Sequence, residues 1–303
     1  MMYQGILSHL SPVLKLVILL IILLTFGSVS GLVISVVANF LYGVDINSIE
    51  SMQSNIAFMQ TFQIVQSISL FIIPPLVGFY LFFNKFKDGM QGKGKLSIQV
   101  IILAVGLIIL GQSFITFSGW LNHQLTLPDS YHHVFDWMTN KEEEAGRLTV
   151  LMIRSDNWWQ ITVTVIMLSI LPAIGEEWLF RGFIQRELSL FLKNPHIAIL
   201  ITAILFSAVH MQFLTFLPRF CLGLILGYLL LFSKNLWLPI LAHFTNNFFA
   251  IVAYMMMDKD QDQSPFDMPV DNPFGIGVVI SLSVIIVLLY LIKQKGIVNG
   301  EKI

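Results

Sequence analysis

Five ionisable side chains lie inside segments that are otherwise apolar enough to enter a lipid bilayer. One long apolar run leads directly into Glu176, Glu177 and Arg181, and two later apolar runs each contain one histidine, His210 and His243. An ionisable group in a membrane-spanning segment costs several kcal/mol, roughly 2.5–3.5 on insertion scales. Such residues are therefore candidates for function, and these types are the ones that activate water.

The spacing of the first three residues assigns them different partners. Glu176 and Glu177 are adjacent, so on a helix their side chains project about 100° apart. Arg181 follows Glu177 by four residues, which places both on one helical face in the favoured acid-then-base order. We therefore predict an ion pair between Glu177 and Arg181, with Glu176 facing elsewhere.

The two histidines also occur in pairs with helical spacing. Phe206 and His210 are four residues apart, as are His243 and Asn247, so each pair shares a helix face. Three helices can then direct Glu176, His210, and His243 with Asn247 into one cavity.

The predicted cavity has the groups needed to hydrolyse an amide without a covalent intermediate. A carboxylate in a dry cavity is a good general base, and a neighbouring histidine can share its water or proton. A second histidine and an asparagine amide can donate hydrogen bonds to a developing oxyanion. No serine lies in a nucleophile-elbow pattern, and the single cysteine, Cys221, lies in an apolar run.

A metal-dependent version of this site is an open alternative. Glu176, His210 and His243 supply enough ligands for a catalytic Zn²⁺ with one open position. The chain has no HExxH motif, so spacing alone does not favour a metal over a metal-free site.

Two other classes of function remain alternatives, and each motif taken alone can also be structural. A non-catalytic scaffold of the immunity-protein type can use the same polar cavity. An ion-coupled transporter also uses buried glutamate and histidine, although inverted repeats typical of transporters are not evident. Asn247 favours hydrolysis, because a proton relay does not need an amide donor there.

Composition predicts an all-α, polytopic transmembrane helical bundle. The chain is 56% hydrophobic and 12% charged, with mean hydropathy +0.78, whereas a soluble domain is nearer a quarter charged. Net charge is −1, which does not suggest nucleic acid as a partner. Apolar runs predict about eight spans, at roughly 14–42, 62–84, 97–118, 158–176, 196–213, 217–233, 236–257 and 273–292.

Loop charges predict that both termini are cytoplasmic. Lysines crowd the loop after the second span and follow the last span, and such loops stay inside. The only long connection, 119–157, contains an amphipathic stretch from Tyr131 to Arg154. We interpret this stretch as a surface helix on the outer face, and the run Lys141 to Glu144 within it as a solvated face.

Three regions follow from these spans. Residues 1–156 form an N-terminal three-span region with the amphipathic segment, residues 157–258 form the catalytic core, and residues 259–303 contain an acidic loop, the last span and a basic tail.

The order and spacing of EExxxR, FxxxH and HxxxN resemble the CPBP family of intramembrane endopeptidases. This family of CAAX proteases and bacteriocin-processing proteins is also called Abi, and it includes the type II CAAX prenyl endopeptidases. The resemblance covers about a third of the chain. It implies that Glu176 activates water with His210, that His243 and Asn247 form an oxyanion hole, and that Glu177, Arg181 and Phe206 support them.

The resemblance leaves the metal and the substrate open. Members of the family are often called metalloproteases, although a metal-free glutamate mechanism is also argued for them. We expect a membrane-associated protein or peptide as the substrate, the lipid bilayer as the surroundings, and a multi-pass protein of a bacterial cell membrane.

Overall fold

The computed structural model describes residues 5–91, 94–125, 128–153, 157–256 and 272–298, and within these residues the chain is helical with no strands. The helices are α1 (Pro12–Tyr42), α2 (Ile49–Ser54), α3 (Ile56–Phe82), α4 (Phe86–Gln91), α5 (Ile98–Leu110), α6 (Gln112–His123), α7 (His132–Ile153), α8 (Trp158–Leu192), α9 (Pro195–Ala208), α10 (Phe216–Ser233), α11 (Trp237–Met256) and α12 (Ile276–Val298).

Local sequence sets where many of these helices begin. The side chain of Ser11 accepts a hydrogen bond from the Leu14 amide, and Pro12 occupies the first turn of α1. Asn194 similarly accepts hydrogen bonds from the amides of His196 and Ile197 at the start of α9. Such caps satisfy amide groups that have no partner within the helix.

The long apolar helices are those of an integral membrane protein, as predicted. However, fewer of them than the predicted eight are long enough to cross a membrane. Within the described residues, six helices are long and apolar enough to cross a membrane: α1, α3, α8, α10, α11 and α12. A seventh span is obtained if α5 and α6, which are bent by 41° at Gly111, are counted together. The fifth predicted segment, 196–213, forms only the 14-residue helix α9.

Helix α8 differs most from its predicted bounds. The span predicted at 158–176 continues through both glutamates to Leu192, so the ionisable residues lie within the helix rather than at its end. Two stretches of this helix, Ile166–Ile170 and Trp178–Ile184, have the wider turns of a π-helix. The apolar sequence before Glu176 did not indicate these features.

Helix α8 lies among the other spans, and its buried side chains are surrounded on several sides. It packs against α1, α3, α9 and α11. An aromatic cluster that includes Phe79, Phe82 and Phe183 fills the space between α3 and α8. A separate apolar core joins α5, α10, α11 and α12. The Glu pair is therefore held inside the bundle rather than on its surface.

Two of the predicted region boundaries, after 156 and after 258, fall at residues outside those described. The lysine at 93, the acidic loop residues 258–271 and Arg154 also lie outside them.

Candidate active site

The predicted ion pair between Glu177 and Arg181 is present, and it is completely buried. Glu177 Oε1 lies 2.8 Å from an Arg181 guanidinium nitrogen, and both side chains have 0% exposure. A second guanidinium nitrogen of Arg181 donates to the carbonyl oxygen of Gly223 on α10, at 3.2 Å. A buried ion pair needs such additional hydrogen bonds to offset the loss of solvation.

The Arg181 guanidinium also lies over an aromatic ring. Its central carbon is 4.3 Å from the ring centroid of Phe206 on α9. This is a cation–π contact, which stabilises a cation that has lost its water. The Phe206 ring in turn contacts both histidines, with centroid distances of 5.4 Å to His210 and 5.7 Å to His243. Phe206 therefore packs between the ion pair and the two imidazoles.

His243 is bound to Glu177, a contact that the spacing of residues did not predict. Its Nδ1 lies 2.9 Å from Glu177 Oε1, and the side chain is buried. The same carboxylate oxygen therefore accepts from both Arg181 and His243. The other ring nitrogen, Nε2, lies 3.9 Å from Glu176 Oε2. Glu177 thus orients the histidine that faces Glu176.

His210 approaches the same oxygen of Glu176 from a turn that follows α9. Its Nδ1 lies 2.8 Å from the carbonyl oxygen of Phe206, and its Nε2 lies 4.0 Å from Glu176 Oε2. Glu176 itself is buried. The structure therefore brings together Glu176, His210 and His243, the grouping that the motif spacing predicted.

The hydrogen bonds of the two histidines determine which nitrogens face the cavity. A carbonyl or carboxylate oxygen only accepts, so Nδ1 of both His210 and His243 carries the hydrogen. When an imidazole is neutral, its Nε2 then has a free lone pair, and both Nε2 atoms lie about 4 Å from Glu176 Oε2. A water oxygen about 2.8 Å from these atoms fits between them at angles of about 90°. These separations are compatible with a water molecule that bridges the carboxylate and an imidazole.

Asn247 lies one turn beyond His243 on α11 and is half-buried. Its Oδ1 accepts a hydrogen bond from the Nδ2 group of Asn246, at 3.3 Å. Asn246 is in turn 3.4 Å from the side-chain amide of Gln112, at the bend between α5 and α6. These contacts orient the carbonyl side of the Asn247 amide toward Asn246 and leave its Nδ2 side on another face. Gln112 and Asn246 were not singled out by the motif pattern.

The donor set has the composition of a catalytic zinc site, but its spacing is wider than that metal requires. Zinc bonds of about 2.0–2.2 Å in a tetrahedral arrangement place ligand atoms about 3.4 Å apart. The two histidine nitrogens lie 3.9 and 4.0 Å from Glu176 Oε2. Among the described residues, no group of three or more His, Cys, Asp or Glu side chains has metal-binding geometry. The arrangement does not fit zinc as it stands.

Comparison with known proteins finds a family match for the segment that contains both glutamates, Arg181, Phe206, both histidines and Asn247. Residues 157–249 match the family model described as type II CAAX prenyl endopeptidase, Rce1-like. Neither the curated proteins nor the solved structures contain a significant match to the chain. The family match supports the predicted resemblance and a protease activity for an integral membrane protein.

Proposed function

We propose that the protein is an intramembrane endopeptidase that hydrolyses peptide bonds of membrane-associated proteins or peptides. The observation that carries this proposal is the convergence of both histidine Nε2 atoms on Glu176 Oε2, at 3.9 and 4.0 Å. A water molecule in that gap has a carboxylate to take its proton and a histidine to accept its second hydrogen bond. The match of residues 157–249 to a prenyl endopeptidase family supports the same reaction class.

In the proposed reaction, Glu176 removes a proton from the water while the water oxygen attacks the peptide carbonyl carbon. His210 Nε2 accepts the other water hydrogen and so orients the lone pair that attacks. The proton held by Glu176 then passes to the leaving amine when the carbon–nitrogen bond breaks. General acid–base catalysis of this kind typically contributes about 10²–10⁴-fold to the rate.

His243 and Asn247 are proposed to stabilise the oxyanion that forms on the carbonyl oxygen. Because Nδ1 of His243 donates to Glu177, Nε2 can donate only when the ring is protonated. The Glu177 carboxylate accepts the Nδ1 hydrogen of His243 and, through the same oxygen, a hydrogen bond from Arg181. This arrangement gives Glu177 two roles, as the partner of Arg181 and as the group that holds His243.

The central experiment compares membranes that contain the wild-type protein with membranes that contain Glu176→Gln at matched expression. The substitution keeps the shape of the side chain and removes the base. Quantitative proteomics should reveal protein termini that are generated only by the wild type. A C-terminally farnesylated CAAX peptide is the first purified probe, since the matched family cleaves such proteins. Identical termini in both membranes would support a scaffold or transporter instead.

The zinc alternative is tested by measuring the metal content of the purified protein. If Glu176, His210 and His243 hold Zn²⁺, purified protein should contain about one zinc per chain, and His243→Ala should lose it. We expect weak chelator sensitivity instead, because His243 Nε2 already faces Glu176 at a separation that suits a shared water. Stoichiometric zinc in active wild type would contradict this expectation.

A further inference from the structure

The amphipathic helix α7 contacts the turn that carries His210, although α7 lies outside the segment matched by the family model. Glu142 on α7 accepts a hydrogen bond from the backbone amide of Leu214, at 3.2 Å, through one carboxylate oxygen. Its other oxygen accepts from the hydroxyl group of Thr215. The interpretation of the run Lys141 to Glu144 as a solvated face is therefore wrong for Glu142.

Thr215 connects Glu142 to an arginine on α10. The Thr215 hydroxyl group donates to Glu142 and accepts from Arg219, which also donates to the Thr215 carbonyl oxygen at 3.2 Å. Another guanidinium nitrogen of Arg219 donates to the side-chain oxygen of Gln212. Thr215 and Leu214 are buried, whereas Glu142 is half-buried. One carboxylate and one guanidinium thus hold Gln212, Leu214 and Thr215 by hydrogen bonds.

This turn determines where the imidazole of His210 points. Helix α9 ends at Ala208 and α10 begins at Phe216, so His210 belongs to the connection rather than to a helix. The next residue, Met211, has φ of 54°, a left-handed conformation that residues other than glycine seldom adopt. Such a conformation persists only when surrounding contacts impose it. The bonds from Glu142 and Arg219 are contacts of that kind.

We propose that Glu142 is a positioning residue for His210 and that α7 thereby completes the catalytic site from outside the family-matched segment. Glu142 does not touch the water or the substrate, and it acts by holding the turn 209–215 in the conformation that directs His210 Nε2 at Glu176. This proposal rests on the proposed function, because positioning has a catalytic meaning only if His210 orients the water.

The kinetic test uses purified protein in nanodiscs with the farnesylated CAAX peptide, or with a substrate found by the terminus comparison. Glu142→Gln should lower kcat about ten- to hundred-fold with KM within about two-fold, since small misplacements of catalytic groups have effects of this size. The matched control is Glu143→Gln, because Glu143 is the exposed neighbour on the same helix. It should retain wild-type kinetics.

A variant pair at Thr215 separates positioning from simple stabilisation. Thr215→Ser keeps the hydroxyl group between Glu142 and Arg219 and should retain kcat, whereas Thr215→Val should lower kcat as Glu142→Gln does. The combination of Glu142→Gln with Thr215→Val should be no worse than either change alone. A loss of thermal stability with unchanged kcat would instead assign Glu142 a purely structural role and would overturn the proposal.

Hydrogen exchange gives a readout that does not depend on activity. The Leu214 amide donates to Glu142, so Glu142→Gln should increase exchange in a peptide covering 210–215 at least several-fold, while Glu143→Gln leaves it unchanged. Unchanged exchange and unchanged kcat in Glu142→Gln would overturn the positioning role. If wild type and Glu176→Gln are equally inactive on every substrate, the proposed function fails, and the exchange result still decides whether Glu142 holds the turn.

Discussion

Glu177 is the residue on which the buried part of the site depends most. One of its carboxylate oxygens accepts from Arg181 at 2.8 Å and from His243 at 2.9 Å. It therefore joins the cation that packs on Phe206 to the imidazole that faces Glu176. The ion pairs of its neighbour Glu176 are longer, with the Nε2 atoms of His243 and His210 at 3.9 and 4.0 Å from Oε2. The two adjacent glutamates should therefore respond differently to substitution.

Substitution Glu177→Gln should lower the amount of folded protein in the membrane, whereas Glu176→Gln should not. Removing one partner of a buried ion pair leaves the other charge uncompensated, at a cost of about 3–5 kcal/mol. Here the uncompensated group is Arg181, which is fully buried. Thermal unfolding of detergent-purified protein and immunoblots of membranes measure the effect. The opposite result, an unstable Glu176→Gln and a stable but inactive Glu177→Gln, would reverse the assigned roles.

Substitution Asn247→Ala should reduce turnover more than substrate binding. In the oxyanion hypothesis, the amide hydrogen bond strengthens as charge develops, and loss of one such donor costs about 2.7–4 kcal/mol, or roughly a hundred- to a thousand-fold in kcat. Asn247→Asp should be worse, since a carboxylate repels the oxyanion. Steady-state cleavage by both variants at matched expression measures this, with Thr245→Ala on the same helix as the control. A raised KM with normal kcat would make Asn247 a recognition residue.

At this site the contacts within one helix were predictable, as was the grouping of Glu176, His210 and His243, but other contacts between helices were not. The backbone geometry of a helix fixes which residues four apart can meet, so the pair of Glu177 and Arg181 followed from spacing. The bond from His243 to Glu177 joins α8 to α11, and the bonds of Glu142 join α7 to the turn before α10. Such contacts depend on how helices pack, and no local pattern encodes them.

At the scale of helices, α10 approaches α8 and α9 closely because it has glycine at two positions one turn apart. The carbonyl oxygens of Gly223 and Gly227 accept from Arg181 and Gln185 on α8, both at 3.2 Å. A methyl group at Gly227 would lie 2.8 Å from a side-chain carbon of Ile199 on α9 and 3.0 Å from Gln185 Oε1. Small residues are the usual means of close helix packing in membranes.

Substitution Gly227→Ala should destabilise the protein by about 1–3 kcal/mol, since an extra methyl group in a packed core forces neighbours to shift. The matched control is Gly106→Ala on α5, where a methyl group would have no atom within 4 Å. That control should be neutral or slightly stabilising, because alanine favours a helix over glycine. Thermal unfolding of the two variants in one detergent compares them. Equal unfolding temperatures for the two variants would show that α10 can move away from α9 without a loss of stability.

Helix positions were predictable from apolar runs, but some helix bounds were not. A run of apolar residues specifies that a segment can enter a bilayer, and it contains no signal for a bend such as that at Gly111. Likewise, α8 continues past its glutamates, and the carboxylate of Glu177 has partners inside the protein. The prediction from hydropathy instead ended the span at these glutamates.

At the scale of the whole molecule, contacts place several lysine-rich connections at one end of the bundle. The Gly5 amide donates to the Phe83 carbonyl oxygen, the Gly94 amide donates to the Lys234 carbonyl oxygen, and Lys295 donates to Gln99. The amide of Asn122 instead contacts the Phe213 carbonyl oxygen at the other end of α6. The beginning of α1 and the end of α12 therefore lie toward the same end. By the positive-inside rule, we propose that this end is cytoplasmic.

Cysteine labelling tests this orientation with residues that the structure describes. In a Cys221→Ala background, Lys95→Cys should react with a membrane-impermeant maleimide only after the cells are opened. Asn47→Cys, in the connection after α1, should react in intact cells, since α1 separates it from the end that holds Lys95. Both sites reacting in intact cells would contradict the proposed arrangement of the spans.

The π-helical stretch Trp178–Ile184 is a place where the length of α8 can change by one residue. A π-turn contains more residues than an α-turn, so its removal requires the deletion of a residue. Each residue of a helix contributes about 100° of rotation. Elsewhere in α8 a one-residue deletion would therefore rotate every residue that follows, whereas between Glu177 and Gln185 it can close a wide turn and keep Gln185 directed at the carbonyl oxygen of Gly227. We therefore expect a one-residue deletion to be tolerated better in this stretch than in the α-helical parts of α8.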